Sequence, residues 1–375
     1  MAAKKMKAAV LREFGKPLTI EEKAVPEPGP GEVLVKVKAS GLCVSDLHIQ
    51  DGLIGTVRLP CTPGHEMAGE IAAVGPGVTR VKIGDHITAA IDLVCGSCRY
   101  CLSGRTNLCR SLKRIGFERD GSHQEYCVIP EENAFPVADW IPFDQVTGLP
   151  DAVGCMYNAI KNRAQVGPGS RLLILGTGGL GMNAIQLAKI FGAEVYATSR
   201  QKAKLDMVLE MGADGVIDTS CQDLEQEIGR LTGGEMCDAV IDNIGIKDSI
   251  NQALKVTAPG GRVIVCGYQY PYFIADYQDV MKFEKEIVGL RGMTRQDLKE
   301  VIRLVESRKI APFVYQTIPF EAINEGLQML RTGAAKGRVV LKMEEGGLEN
   351  ERTCSNNRKR HDGKRNRSHE RPCRE

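Results

Sequence analysis

Along the first 150 residues the apolar positions come in short β-branched runs. "GEVLVKVKASG" (31–41), "GEIAAVG" (69–75) and "GDHITAAI" (84–91) alternate or cluster hydrophobic residues between Gly and Pro turns, with few long helical periods. From Arg171 the rhythm changes. "RLLILG", "EVYATS", "GVIDTS", "CDAVIDNIG", "RVIVCG" and "EIVGLRG" are six short apolar runs. Between them lie stretches with helical apolar spacing, such as "MNAIQLAKIFG" and "AKLDMVLEMG", which end in Gly. Strands alternating with helices predict βαβ units and a doubly wound parallel sheet of six strands. A further helix, "RQDLKEVIRLVES", and a last strand, "GRVVLKM", follow Gly292. The pattern predicts a β-rich domain over 1–150 that the chain re-enters at 293–345, and a dinucleotide-type α/β domain over 151–292. Residues 346–375 are basic, with almost no large apolar side chain, and are expected to be disordered.

Composition narrows the class. A chain of 375 residues with 43% hydrophobic content is long enough for two domains with a sizeable core. Its net charge of +2 supplies no electrostatic reason for nucleic-acid or membrane binding. There is no apolar h-region at the N-terminus and no run of ~18 apolar residues, so a cytoplasmic, reduced protein is expected. An odd count of 13 cysteines argues against a disulfide framework.

Four of those cysteines fall in "CGSCRYCLSGRTNLC". Cys95, Cys98, Cys101 and Cys109 can close a tetrahedron around Zn²⁺, a structural site with no position left for substrate. "ILGTGGLG" sets Gly176, Thr177, Gly178, Gly179, Leu180 and Gly181 between a strand and a helix, in the G-x-G-x-x-G pattern. There the first Gly makes a tight turn, the second admits a pyrophosphate, and the third packs helix on strand. "GLCVSDLH" and "PGHEMAGEIAAVG" supply Cys43, Ser45, Asp46, His48, His65 and Glu66. Cys43 and His65 are donors that zinc prefers.

These motifs together make the chain resemble the zinc-dependent alcohol dehydrogenases of the medium-chain dehydrogenase/reductase superfamily, from about residue 6 to 343. The signature G-H-E-x2-G-x5-G-x2-V is met by Gly64, His65, Glu66, Gly69, Gly75 and Val78. The resemblance implies a GroES-like catalytic domain joined to a Rossmann domain, and two zinc ions per chain. It implies Cys43, His65 and Asp151 as catalytic zinc ligands, with Asp151 standing where many relatives carry Cys, and Glu66 as a reserve ligand. It further implies that Asp46 orients the zinc-bound histidine, and that Ser45 and His48 relay the alcohol proton outward. Arg338 is implied to reach the cofactor pyrophosphate. Cys155 stands where relatives often place a Thr against the nicotinamide.

The expected reaction is reversible hydride transfer between a primary or secondary alcohol and the nicotinamide. Ala90 and Ile91, before the four-cysteine lobe, suggest a pocket larger than ethanol needs. For the cofactor, the end of "EVYATSRQKAK" carries Ser199 and Arg200 and no acid before Asp206, which favours NADP over NAD. Assembly into two or four copies is expected. The alternatives are a zinc-free enone or quinone reductase, an NAD-dependent dehydrogenase of a polyol or alicyclic alcohol, and a non-enzymatic zinc- and dinucleotide-binding redox sensor.

Overall fold

The computed structural model describes residues 4–269 and 271–343; the basic segment 346–375 lies outside the described residues. In β1 (Glu32–Leu42), Val33, Val35 and Val37 point into the core while Lys36 is half-buried, the period of two that a pleated strand imposes. A short helix, α1 (Val44–Gln50), follows directly, and β2 (Glu66–Val74) returns antiparallel to β1. Around this pair a seven-stranded sheet forms. It runs Val314–Pro319, Arg338–Lys342, β1, β2, His86–Ala89 and Ala134–Pro136, with Tyr126–Pro130 also paired to β1.

The second sheet is built from β3 (Arg171–Leu175), then, after helix α2 (Gly179–Ile190), β4 (Glu194–Ser199). Helix α3 (Lys202–Glu210) leads to β5 (Gly215–Asp218), followed by β6 (Cys237–Asp242), β7 (Thr257–Val265) and β8 (Glu286–Gly289). All pairs are parallel, in the order β5-β4-β3-β6-β7-β8. Leu172, Leu173, Ile174 and Leu175 are all buried, as expected when helices cover both faces of a parallel sheet. The order reverses between β4 and β6 on either side of β3, and a ligand crevice opens at the carboxyl ends there.

Between the sheets runs a helical tract from Phe143 to Ala164, partly π-wound over Leu149–Val153 and Asn158–Ala164. Helix α4 (Arg295–Glu306) packs against it. One apolar cluster spans the whole junction, joining Ala39, Ala68 and Val340 of the first sheet to Leu172 and Ile174 of the second through Leu149, Met156 and Val301. The final strand, Arg338–Lys342, lies antiparallel on β1, with Val339 opposite Leu42 and Val340 opposite Gly41. It thereby carries Arg338 into the junction.

Candidate active site

Cys43 caps the N-terminus of α1, where its backbone N–H donates to Asp46 Oδ2 at 2.8 Å. His65 and Glu66 lie at the entry to β2, and Asp151 sits in the π-wound turn of the helical tract. These far-apart segments converge: a ligand atom from each of Cys43, His65, Glu66 and Asp151 lies within 4.8 Å of every other. Cys43 Sγ is 3.4 Å from Asp151 Oδ2, and His65 Nε2 is 3.9 Å from the same oxygen. Burial alone would raise the Asp151 carboxyl, but His65 and Arg338 outweigh it and hold it well below the carboxylate range. Glu66 goes the other way, pushed well up by burial despite Arg338. Both Glu66 oxygens are buried without an aligned hydrogen-bond donor, although an Arg338 nitrogen stands 2.9 Å away. A thiol, an imidazole and two carboxylates gathered beside Arg338 are a donor set that fits a borderline cation such as zinc.

Arg338 is buried and links this cluster to the dinucleotide turn. One of its terminal nitrogens donates to Leu42 O at 2.9 Å, and the other lies 3.4 Å from Asp151 Oδ2. Its guanidinium stands 3.2 Å from where a Cβ on Gly179 would be, and its Nε is buried without a partner. In the turn itself, a Cβ on Gly181 would lie 2.2 Å from Gly176 O, so helix α2 approaches β3 only because that residue is Gly. Gly178 faces open space at the N-terminus of α2, which no side chain caps. Thr177 is tied to Thr198 O at 3.3 Å, and Leu180 packs on the central cluster.

Around Ser45 and His48 the structure adds a residue. Ser45 Oγ lies 3.1 Å from Tyr268 OH and 3.7 Å from Cys43 Sγ, while the His48 ring packs on the Tyr268 ring with centroids 4.7 Å apart. No hydrogen bond joins Ser45 to His48 among the described residues. Burial lowers the His48 pKa, disfavouring the charged ring. Cys155 donates to Asp151 Oδ1 at 2.9 Å, which leaves Oδ2 to face Cys43 and His65. Ala90 is buried and Ile91 half-buried; with Pro150 and Met293 they line a cavity of about 40 Å³.

The four-cysteine lobe is a separate cluster. Cys95, Cys98, Cys101 and Cys109 also place their sulfurs within 4.8 Å of one another, and every described cysteine is free of disulfides. The backbone N–H groups of Ser97 and Cys98 hold the Cys95 thiol down at about 6, a thiolate ready for a metal.

Comparison with known proteins agrees with this architecture. The alcohol dehydrogenase GroES-like domain matches residues 29–139, and the zinc-binding dehydrogenase domain matches 179–307. The alcohol dehydrogenase of Geobacillus stearothermophilus is 34% identical over 341 residues, covering 90% of this chain and all of that one. The chain belongs to the zinc-type alcohol dehydrogenases of the medium-chain dehydrogenase/reductase family. Among solved structures, an NAD-dependent alcohol dehydrogenase superposes with a TM-score of 0.87 at 34% identity, covering 90% of this chain and 100% of its own. The acetophenone reductase of Geotrichum candidum, in complex with NAD, reaches 0.82 at 33% identity, with 91% and 98% covered. As a member of this family, the chain is an alcohol–carbonyl oxidoreductase, and the family is one of zinc-binding, nicotinamide-dinucleotide-dependent enzymes.

Sequence reasoning missed two residues of this alcohol dehydrogenase site. Tyr268 lies just past the end of β7, the strand end at which a doubly wound sheet gathers ligands, and that placement was a usable signal. His123 is fully buried beside Asp46, with Nε2 3.6 Å from Asp46 Oδ1. A lone histidine in "GSHQEY" carries no spacing that marks it.

Proposed function

We propose that the chain oxidises primary or secondary alcohols, and reduces the corresponding aldehydes or ketones, with NADP as hydride carrier and zinc held by Cys43, His65 and Asp151. The observation that carries this reading is the arginine bridge: Arg338 spans from the Cys43–His65–Glu66–Asp151 cluster to the glycine-rich turn. Metal and dinucleotide are thereby brought within one side chain of each other. When bound, zinc supplies Lewis acidity that lowers the pKa of an alcohol. Asp46 orients His65, Glu66 is a reserve ligand, and the unpartnered Arg338 Nε is assigned to the pyrophosphate. Ser45 takes the alcohol proton and His48 passes it outward, with Tyr268 packed beside both. The second zinc belongs to the four cysteines and holds the lobe.

NADP is favoured by the end of β4. Ser199 is half-buried, Arg200 is exposed without an ion-pair partner among the described residues, and β4 itself ends without an acid, although Asp218 of β5 is paired in register with Ser199. Burial, with Lys336 nearby, lowers the Lys204 pKa. A 2′-phosphate would satisfy Ser199 and Arg200. The competing reading is NAD, which two of the relatives carry in name or in complex. The test is kcat/KM with both cofactors. The expected wild type prefers NADP, and Arg200→Ala cuts that preference roughly 10- to 100-fold, the worth of a charge-assisted hydrogen bond. A wild type that prefers NAD refutes the assignment.

A further inference from the structure

Asp46 faces two buried imidazoles. His65 Nδ1 is 3.7 Å from Asp46 Oδ1, and His123 Nε2 is 3.6 Å from the same oxygen. All three atoms are buried and none has a hydrogen-bond partner. The other carboxylate oxygen, Oδ2, is already held by the Cys43 backbone N–H. Behind His123 the polar path continues inward: Nδ1 lies 2.9 Å from Ser40 Oγ, and Ser40 Oγ lies 2.6 Å from Ser122 Oγ. Ser40, Ser122 and His123 are all fully buried. Polar groups this deep are costly unless they are paired, so a chain of four is not incidental packing.

The direction of the chain follows from its end. Asp46 serves as an acceptor: its Oδ2 takes the Cys43 backbone N–H, and its Oδ1 faces a ring nitrogen of each histidine. An imidazole with one ring proton must therefore carry it on Nε2, facing Asp46. Nδ1 then accepts from the Ser40 hydroxyl, and Ser40 accepts from Ser122.

The backbone holds His123 to the segment that bears His65. His123 N–H donates to Pro63 O at 3.0 Å, Ser122 N–H to Gly64 O at 2.8 Å, and Gly121 N–H to Thr62 O at 2.8 Å. Gly64, with φ of +103°, has no room for a side chain, since a Cβ there would lie 2.7 Å from His123 Nδ1. The nearest obstacle is the His123 backbone nitrogen at 2.6 Å, so the glycine lets the two segments approach closely and brings the ring beside them.

We propose that His123 is a positioning residue for the metal site: its Nε2 faces the same Asp46 oxygen as His65, so that the carboxylate, bonded to the Cys43 backbone N–H and flanked by both rings, fixes the His65 ring with Nε2 toward the metal. Ser40 and Ser122 set the tautomer of His123. This rests on the reading of Cys43, His65 and Asp151 as metal ligands. Groups one shell out from a metal orient its histidine ligands, and their loss typically costs roughly 10- to 100-fold in metal affinity.

The experiment compares wild type, His123→Phe and His123→Gln, as full-length protein loaded with zinc. Metal affinity is read by competition with a chelator, and the ligand field by visible spectroscopy after cobalt exchange at the Cys43 site. His123→Phe fills the space without a donor, whereas His123→Gln restores an N–H near the position of Nε2. The expected result is about a 10-fold or greater loss of affinity at the Cys43 site in His123→Phe, with an altered cobalt spectrum. His123→Gln returns to within about 3-fold of wild type, and the four-cysteine metal stays in place throughout. Equal losses in both variants mean that the N–H facing Asp46 is not what holds the site, and overturn the proposal. So does unchanged or tighter binding in His123→Phe. A wild type that holds no metal at Cys43, His65 and Asp151 fails the underlying reading instead, and is distinguished by its metal content alone.

Discussion

Asp151 illustrates how one residue's role is set by its neighbours. It is the only proposed ligand whose two oxygens do different things: Oδ1 accepts from Cys155 and Oδ2 faces Cys43, His65 and Arg338. Its negative charge balances His65 and Arg338 in a buried space, where an uncompensated charge is expensive. Asp151→Asn keeps the shape and removes the charge. The expected outcome is a fall from two zinc ions per chain to about one by elemental analysis, with alcohol oxidation lost and the fold retained. A variant that keeps both metals and its rate removes Asp151 from the ligand set. Cys155, whose thiol is pushed well up by burial and by Asp151, remains a neutral donor to that carboxylate.

At the scale of elements, the four-cysteine lobe differs from its surroundings. Its only strands are the two-residue pair Asp92–Leu93 and Lys113–Arg114, and its short helix, Arg99–Leu102, buries no residue. Leu102 is 75% exposed, so the lobe has no apolar core with which to hold itself. A bound metal would be its internal tie, beside the hydrogen bonds that join Asn107 to Arg291 and Thr106 to Arg295. Cys98→Ala is expected to release one zinc and open 95–109 to limited proteolysis. The site around Cys43 should keep its metal, because the two clusters share no residue. Cleavage rates in the lobe equal to wild type would show that the metal does not organise it.

For the molecule as a whole, the junction between the two sheets is held by apolar packing and by charged clusters, one of them between the helical tract and α4. Glu300 of α4 accepts from Tyr157 and from Lys161, whose Nζ is 2.5 Å away, and Lys161 also donates to Tyr157 OH at 2.8 Å. The hydrogen bonds from Lys161 and Tyr157 lower the Glu300 pKa from 4.5 to about 2. A carboxyl depressed on folding contributes stability above its unfolded pKa and loses it as pH falls toward the folded value. The contribution is therefore full above about pH 4.5 and gone near pH 2. Solvent reaches the pair, so it is worth about 1 kcal/mol rather than the full shift. Glu300→Gln is expected to flatten the loss of stability by about that amount between roughly pH 5 and pH 3, read from urea unfolding. An acid limb as steep as that of wild type would assign no such role to Glu300. Among the described residues no helix is long and apolar enough to cross a membrane.

Much of this molecule was legible in order of residues alone. The six parallel strands show because each is a short apolar run bounded by helical periods, and local periodicity is a property of neighbouring residues. The four cysteines and the glycine-rich turn show for the same reason, since their ligand or turn geometry is closed within a few positions. The tract 143–164 does not, because its residues are buried on nearly all sides and its helix is wound irregularly, leaving no clean period. The cluster of Cys43, His65, Glu66 and Asp151 was reached by resemblance; no spacing along the chain contains it, and only the packing of α1, β2 and the π-wound turn brings it together. His123 and Lys336 needed the fold altogether, and Tyr268 was marked only by its place past the end of a strand. A single histidine, tyrosine or lysine has the same local signature on a surface as in a site, and what distinguishes them is which groups the tertiary structure sets opposite: Asp46, Ser45 and Lys204.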